Sequence, residues 1–293
     1  MSSSHDFRFI VLLKDFKIYF ERELSDLFNL AEVRHFFYIL IEDLLNENRF
    51  LLAVNPDYTL SAHHLNTFEN ALKGLKKKAP IQYITGLAHF GNLTLKVNES
   101  VLIPRPETLE LINYIKDTFK HAPPKTILDI GTGSGCIPIV LSQAFPHASI
   151  TAIDVSEKAL AVARENANKY KSTINWELKN ILSEKSLDQK YDLIVSNPPY
   201  VRALEKVEMS KNVLAYEPEL ALFVTDKDPL IFYKKISELA FDFLSQDGLL
   251  FFEINEYLGE ETTALIKNIG FKKIVLKQDM YLKNRMIMAK AIA

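Results

Sequence analysis

The stretch TILDIGTGSG, residues 126–135, decides the fold of this chain. Residues 126–130 form a mostly apolar run of the kind that makes a buried parallel strand, and a glycine-rich turn follows directly. We predict a helix over 134–145 immediately after that turn. A strand, a glycine turn and a helix in this order begin an open α/β sheet, in which ligands bind outside the carboxyl ends of the strands.

Strands and helices continue to alternate from this unit to the end of the chain. The alternation predicts the α/β class, with a Rossmann-like, mainly parallel sheet that carries helices on both faces. The further predicted strands cover 149–154, 193–196, 248–254, 273–276 and 286–289, and the further helices cover 156–170, 229–244 and 256–268.

The residues before this region follow other patterns. Apolar residues recur at helical spacing in three segments, 9–20, 30–45 and 61–78, which predicts a small helical bundle. Short alternating pieces at 81–84, 93–97 and 101–103 predict strands instead. We therefore divide the chain into a helical N-terminal domain (1–80), a β-hairpin linker (81–104) and a main domain (105–293).

Composition limits the possible classes of protein. The 293 residues suffice for two domains, and 48% apolar with 25% charged residues is ordinary for a soluble globular protein. The net charge of −2 gives no general basic surface, so direct binding to nucleic acid is not expected. A single cysteine excludes an internal disulfide and a multi-cysteine zinc site. No apolar run is long enough to cross a bilayer, so we expect a cytoplasmic protein with no membrane partner. We also expect it to bind no metal and to be a monomer.

The turn Gly131-Thr132-Gly133-Ser134-Gly135 is the first candidate binding site. Glycine permits a sharp turn there and lets a ligand approach the backbone closely. The NAD pattern G-x-G-x-x-G places a third glycine at the position that Cys136 occupies here, so the dinucleotide interpretation is weakened. Asp154 ends the next strand, where a carboxylate can accept from ribose hydroxyls, although it could instead only cap the following helix.

The tetrad Asn197-Pro198-Pro199-Tyr200 follows the predicted strand that ends at Ser196, and it indicates chemistry on a planar nitrogen. The lone pair of an amide or aromatic amine is delocalised, so the nitrogen must be held before it can attack a sulfonium methyl group. The side-chain oxygen of Asn197 and the carbonyl of Pro198 could accept its two N–H groups. Proline has no N–H to compete as a donor, and Tyr200 offers a flat face for stacking.

At this point the chain closely resembles the release factor glutamine methyltransferases. The segments that carry the resemblance are PIQYITG (80–86), VLIPRPET (101–108), ILDIGTGSGCI (127–137), YDLIVSNPPY (191–200) and YEP (216–218). The tetrad alone is shared with adenine-N6 methyltransferases, whereas VLIPRPET and YEP favour the glutamine branch.

The resemblance implies a class I methyltransferase domain that uses S-adenosylmethionine and methylates the glutamine of the Gly-Gly-Gln motif in peptide chain release factors. Residues 131–135, Asp154 and Asn197 would contact the cofactor, and residues 197–200 would hold the glutamine. Arg105, Glu107 and Thr108 would lie beside the methionine end of the cofactor. Asp129 could reach that end as well, or only orient the loop. The helical domain would dock the release factor.

The chain departs from the family pattern at three places. Asn180-Ile181 stands where the family often has Asp and an aromatic residue beside the adenine, so one acceptor is kept and the stacking partner is lost. The stretch 223–228 replaces a glycine-rich segment, and Asn255 replaces a glycine. Two other activities stay open from sequence: adenine-N6 methylation of DNA or RNA, and glutamine methylation of a ribosomal protein.

Overall fold

The computed structural model describes residues 11–209 and 211–291 of the chain. The chain divides into two compact units, Met1–Leu87 and Ala88–Ala293. A search of the described helices finds none with the length and apolar character needed to cross a bilayer. The first two residues of the helix predicted over 9–20 lie outside the described residues.

The described part of the N-terminal unit is a helical bundle around an aromatic core, as the helical spacing predicted. Phe37 of the second helix packs edge-on against Phe20 and Phe68, with ring centroids 5.4 and 6.0 Å apart. All three rings are fully buried. The helices are α1 Leu13–Leu24, α2 Leu30–Leu45, α3 Leu51–Val54, α4 Ala62–Lys76 and α5 Ile81–Thr85, and the short strands β1 Val11–Leu12 and β2 Thr59–Leu60 pair antiparallel.

The strand predicted over 81–84 is wrong, because these residues form helix α5. Pro80 begins the turn, and Gly86 ends it in the left-handed region at φ +74°. Ile81 is buried in the bundle core and Ile84 packs against it. Ile81 and Ile84 lie three positions apart, so they share one face of a helical turn, whereas in a strand they would point to opposite faces.

The C-terminal unit contains a seven-stranded sheet. Its spatial order is β12-β13-β11-β8-β5-β6-β7, and β13 runs antiparallel to both of its neighbours while the other pairs are parallel. This confirms the predicted α/β class. The strands are β5 Thr126–Ile130, β6 Ser149–Asp154, β7 Asn175–Leu178, β8 Tyr191–Ser196, β11 Leu244–Glu253, β12 Lys273–Gln278 and β13 Asn284–Lys290.

Both faces of the sheet are covered. Along β5, Ile127 belongs to one buried apolar cluster and Leu128 to another on the opposite face, and Leu193 and Ile194 divide in the same way along β8. This explains why these strands are continuous apolar runs. The long helices are α6 Pro106–Thr118, α7 Cys136–Ala144, α8 Glu157–Lys169, α11 Ile231–Phe243 and α12 Gly259–Ile269.

The remaining elements are short and border the sheet. A hairpin of β3 Leu87–Phe90 and β4 Leu93–Lys96 precedes α6. The segment after β8 contains β9 Val201–Arg202, α9 Lys211–Tyr216, α10 Glu219–Leu222 and β10 Phe223–Val224, and β9 pairs parallel with β10.

Several other local assignments differ from the sequence prediction, such as strand β7, which was not predicted. Residues 101–103 form no strand, because Val101 donates to Asn98 O in a turn and Ile103 donates to a side chain. Helix α7 begins at Cys136 instead of Ser134, since Gly135 has a φ of +80° that a helix does not allow. Strand β11 begins at Leu244, before an irregularity in its pairing that the sequence pattern does not reveal.

Candidate active site

The pairing of two central strands brings the predicted binding turn and the tetrad together. In the parallel register of β5 and β8, Ile130 lies opposite Ser196, so Gly131 and Asn197 leave neighbouring strand ends side by side. A Cβ atom on Gly131 would lie 4.0 Å from the main-chain oxygen of Asn197. The chain turns back at this point of the sheet, since β6 and β7 lie beyond β5 while β8 lies on its other side. Ligands of open α/β sheets bind at such a switch point.

The glycines of the turn have different structural roles. Gly131 has a φ of +77°, and its N–H donates to Ile153 O of the neighbouring strand at 2.9 Å. Gly135 lies against α8, since a Cβ there would be 3.1 Å from the Cβ of Ala163. Gly133 has a φ of +55° and nothing within 4 Å of a Cβ position, so its side is open. The turn thus packs against the fold at its ends and faces free space at its centre.

A cavity of about 420 Å³ lies over this turn. That volume is within the range of small-ligand sites. Most of the predicted site residues line it: Arg105, Thr108, Gly131, Thr132, Gly133, Ser134, Asp154, Asn180, Ile181, Asn197, Pro198 and Pro199. Glu107, Asp129, Gly135 and Tyr200 are not among its lining residues.

Several lining residues were not predicted from the sequence. Phe232 and Ile236 reach the cavity from α11, and Leu220 and Ala221 reach it from α10. Phe232 is half-buried and packs against the apolar cluster that contains Ile181. An aromatic side chain is therefore present at this cavity although residue 181 is not aromatic. An isolated phenylalanine at one position of a helix gives no sequence signal for such a role.

Asp154 holds the end of strand β6 to the turn. Its Oδ2 accepts from the N–H of Gly133 and its Oδ1 from the N–H of Ser156, both at 2.9 Å. The cap of α8 itself is Ser156, whose hydroxyl accepts from Ala159 N. Burial raises the pKa of Asp154, while these backbone donors oppose that shift. Each carboxylate oxygen has room for a second donor, so the structural contacts leave the ribose role possible.

Asn166 of α8 is a structural residue that the sequence did not indicate. Its side chain is fully buried, accepts from Lys96 N at 2.6 Å, and donates to Lys96 O and to Ser134 O at 3.0 and 2.9 Å. One amide thus connects strand β4 to the glycine turn. The local sequence shows only a polar residue in a helix, so the partners appear only after folding.

A second cavity of about 280 Å³ meets the first at the tetrad. Both are lined by Leu102, Arg105, Asn197 and Ala221, so Asn197 lies at their junction. The other residues that line the second cavity are Tyr200, Val201, Met209, Val213 and Leu222. This lining is mainly apolar, with the amide of Asn197 and the guanidinium of Arg105 as polar groups.

A chain of side-chain hydrogen bonds extends from the tetrad into the core. Asn197 Nδ2 donates to Thr108 Oγ1 at 3.1 Å, and Thr108 Oγ1 donates to Glu253 Oε2 at 2.6 Å. Tyr200 Oη donates to the other carboxylate oxygen, Glu253 Oε1, at 3.1 Å. None of the described residues donates to the side-chain oxygen of Asn197. The two polar side chains of the tetrad are therefore joined through a single carboxylate at the end of β11.

Glu253 is almost completely buried. Burial raises its pKa, whereas the Thr108 hydrogen bond, the positive charge of Arg285 and the Tyr200 hydrogen bond lower it. Burial also raises the pKa of Tyr200, so its hydroxyl keeps its proton and remains a donor. Asn255, one of the departures noted above, lies two residues on and donates to Tyr200 O at 2.9 Å. An amide thus supports the tetrad backbone where a glycine could not.

An ion pair connects the VLIPRPET segment to the YEP segment. Arg105 Nη2 lies 2.6 Å from Glu217 Oε1, and Glu217 Oε2 accepts from Ile103 N at 3.4 Å. The Glu217 side chain is 1% exposed, so it needs this partner. The VLIPRPET and YEP segments therefore lie side by side and are joined by this ion pair.

Asp129 is a buried carboxylate just below the turn. It is fully buried, and neither of its oxygens has a hydrogen-bond partner among the described residues. The hydroxyl of Thr132 is close enough to favour the charged form, yet it makes no hydrogen bond of ordinary geometry. Burial raises the pKa of Asp129 to about 7.

Comparisons with known proteins identify the family. The family "PrmC N-terminal domain" matches residues 23–86, and "Methyltransferase small domain" matches residues 111–220. The release factor glutamine methyltransferase of Flavobacterium psychrophilum is 50% identical over 94% of this chain and 98% of its own length. The corresponding protein of Bacteroides thetaiotaomicron is 40% identical over 92% of this chain and 97% of its own. The chain belongs to the release factor glutamine methyltransferases.

Solved structures agree on the fold of this methyltransferase. The hMettl16 catalytic domain has a TM-score of 0.55 at 15% identity and covers 82% of this chain and 86% of its own. At that identity the likeness supports the class I methyltransferase fold alone. It confirms the fold class that the sequence resemblance implied.

The site of this methyltransferase fits S-adenosylmethionine on its own features. The first cavity has the size of a small-ligand site, the Gly133 side of the turn is open, and Asp154 can accept further hydrogen bonds. Asp129, beneath the turn, is a buried carboxylate with no described hydrogen-bond partner, but it does not line the cavity. Among the described residues, no group of three His, Cys, Asp or Glu side chains could hold a metal ion.

Replacement of Asp129 should change the pH dependence of stability. Its folded pKa of about 7 exceeds the unfolded value of 3.8, so its favourable contribution is complete below about pH 4 and is lost as the pH rises toward 7. From pH 5 to pH 8, the free energy of unfolding of the wild type should therefore fall by about 2–3 kcal/mol relative to that of Asp129→Asn, at 1.36 kcal/mol per pKa unit. Urea unfolding at a series of pH values measures this difference. A constant difference across the series would contradict a raised pKa.

Asp154→Ala should weaken cofactor affinity by about 1.5–3 kcal/mol, the value of a charge-assisted hydrogen bond. Calorimetric titration with S-adenosylmethionine measures the loss. Glu157→Ala is the matched control, because it removes a carboxylate from the first turn of α8 at a residue that lines neither cavity. If both variants lose the same affinity, Asp154 acts only through the helix start.

Proposed function

We propose that this chain methylates the side-chain amide nitrogen of glutamine in the Gly-Gly-Gln motif of peptide chain release factors, with S-adenosylmethionine as methyl donor. The observation that carries the proposal is Asn197 at the junction of two cavities, in a chain whose relatives over nearly their full length are named release factor glutamine methyltransferases. One cavity then takes the cofactor and the other the glutamine. The shared residue holds the glutamine nitrogen where it can receive the methyl group from the cofactor in the neighbouring cavity.

The tetrad supplies acceptors for that nitrogen. The Asn197 side-chain oxygen and the Pro198 carbonyl would each accept one N–H of the glutamine amide and turn its lone pair toward the first cavity. The bound cofactor supplies a methyl group on a positively charged sulfur. As the bond to nitrogen forms, positive charge grows there, and two fixed oxygens stabilise it without reorganisation. The N–H groups become acidic once nitrogen is alkylated, so no base need act before transfer.

The lining of the second cavity suits a glutamine between glycines. Val201, Met209, Val213 and Leu222 give apolar contacts for its methylene groups, and the cavity of about 280 Å³ is small. The hydroxyl of Tyr200 is held by Glu253, which fixes the ring beside the amide position. A nucleobase would need polar partners around its edge. This lining therefore favours glutamine over adenine.

The N-terminal unit would dock the release factor. Two observations support this role. Residues 23–86 match the family model described as PrmC N-terminal domain, and they belong to a separate compact unit. Such docking would increase the local concentration of the glutamine loop at the catalytic unit. Action in the cytoplasm, a monomeric state and the absence of direct binding to nucleic acid stay predictions.

One assay tests the proposal. Purified protein with radiolabelled methyl donor should label an intact release factor, leave its Gly-Gly-Gln variant with Gln→Ala unlabelled, and label neither DNA nor a ribosomal protein. A short Gly-Gly-Gln peptide should be labelled with lower kcat/KM than the intact factor. Labelling of DNA or of the ribosomal protein in preference to the factor would contradict the proposed substrate.

Asn197→Ala should bind the cofactor nearly as well as wild type and lose methyl transfer. The loss in kcat should be about 10²–10³-fold, the effect of removing one preorganised group of an oxyanion hole. Single-turnover rates and cofactor titration separate the two effects. Asn212→Ala, on α9 and outside both cavities, serves as a control and should keep its activity. Near-normal turnover in Asn197→Ala would remove the tetrad mechanism.

A further inference from the structure

We propose that Glu253 and Thr108 are positioning residues that fix the direction in which the Asn197 amide points. The inference rests on the proposed function, because the direction matters only if Asn197 receives an N–H from the substrate amide. Neither residue belongs to the tetrad. Glu253 was not indicated by the sequence at all.

The single proton of the Thr108 hydroxyl decides the direction. Thr108 Oγ1 lies 2.6 Å from Glu253 Oε2, a distance typical of a hydroxyl that donates to a carboxylate. Since a hydroxyl has one proton, it can only accept at its other contact, 3.1 Å from Asn197. Asn197 must therefore present its Nδ2 to Thr108. Its Oδ1 is then left available for a donor from outside the protein.

The opposite direction would obstruct the reaction. If Thr108 donated to Asn197 Oδ1, the NH₂ group of Asn197 would take the place of the acceptor. It would then face the NH₂ group of the glutamine, and two sets of donors would oppose each other. The charge of Glu253 prevents this arrangement because a carboxylate can only accept. A neutral group at position 253 could donate to Thr108 and release the threonine proton toward Asn197.

The surroundings of Glu253 support a role in orientation. Glu253 is 1% exposed. The charge of Arg285 lowers its pKa, but the ion pairs that Arg285 makes directly among the described residues are with Glu256 and Asp279. A buried carboxylate without an ion partner costs stability, so packing alone gives no reason for it here. Its two oxygens accept from the hydroxyl of Thr108, which contacts Asn197, and from the hydroxyl of Tyr200, which belongs to the tetrad.

A double-mutant cycle tests the inference, with kcat and KM for the release factor and cofactor affinity measured for each variant. Thr108→Val, which leaves Asn197 without its partner, should lower kcat about tenfold, or about 1.4 kcal/mol. Thr108→Ser should retain most of kcat because the hydroxyl remains. Glu253→Gln should lower kcat by a similar factor. The double variant should be no slower than Glu253→Gln, because a valine at residue 108 has no hydroxyl proton to donate to Asn197 Oδ1.

Several outcomes would overturn the inference. Losses that multiply to about a hundredfold in the double variant would mean that the two residues act independently. Losses found only in KM or in cofactor affinity would indicate a binding role for Thr108, which lines the first cavity. A serine variant as slow as the valine variant would assign the effect to packing.

Controls separate these outcomes from misfolding. Thr118→Val makes the same change on the same helix, where the hydroxyl donates to Tyr114 O outside both cavities, and it should keep wild-type kcat. Thermal unfolding identifies variants that do not fold, and the Val and Ser variants at 108 test the inference even if Glu253→Gln fails. A wild-type protein that labels no release factor overturns the proposed function, whereas an active wild type with multiplying losses overturns only the positioning role.

Discussion

The parallel pairing of β5 with β8 is the constraint on which the site depends. Because Ile130 lies opposite Ser196, the residues that follow these two strands must leave the sheet together. The glycine turn and the tetrad thus meet although the intervening chain forms two further strands and their helices. The register also fixes the distance, since a one-residue slip would turn every side chain of a strand to the other face and disrupt the packing of both covered faces. The stability of the sheet therefore maintains the geometry of the site.

Buried carboxylates surround this junction. Asp129, Glu217 and Glu253 are buried, and their partners differ. Asp129 has no described hydrogen bond, Glu217 pairs with a cation, and Glu253 accepts from two hydroxyls. Burial of a charge is unfavourable, so such groups concentrate where a protein binds charge or orients reacting groups. In this protein they lie below the glycine turn, between the VLIPRPET and YEP segments and beneath the tetrad. The arrangement gives the site its polarity while its cavities remain largely apolar.

The sequence predicted long elements with a repeating apolar pattern better than it predicted short segments. The buried strands of the sheet and helix α2 were found because apolar periodicity persists over several turns or residue pairs. The segment 81–84 was assigned to a strand because alternation over four residues does not distinguish a strand from one helical turn. Residues 101–103 form a short apolar run that was also assigned to a strand, but the N–H of Ile103 bonds to Glu217, which is distant in sequence. Short segments take their structure from such partners.

For the site, the sequence by itself determined the chemical groups. The sequence shows glycines at residues 131, 133 and 135, a carboxylate at the end of β6 and an Asn-Pro-Pro-Tyr tetrad. They are visible because backbone conformation and reaction chemistry both restrict the residue type at those positions. Only the tertiary structure decided which groups support them. Thr108, Asn166 and Glu253 are ordinary residues of two helices and a strand, and their roles come from partners far along the chain. A hydrogen bond depends on distance and direction in space, and these are fixed only when the sheet and its helices have packed.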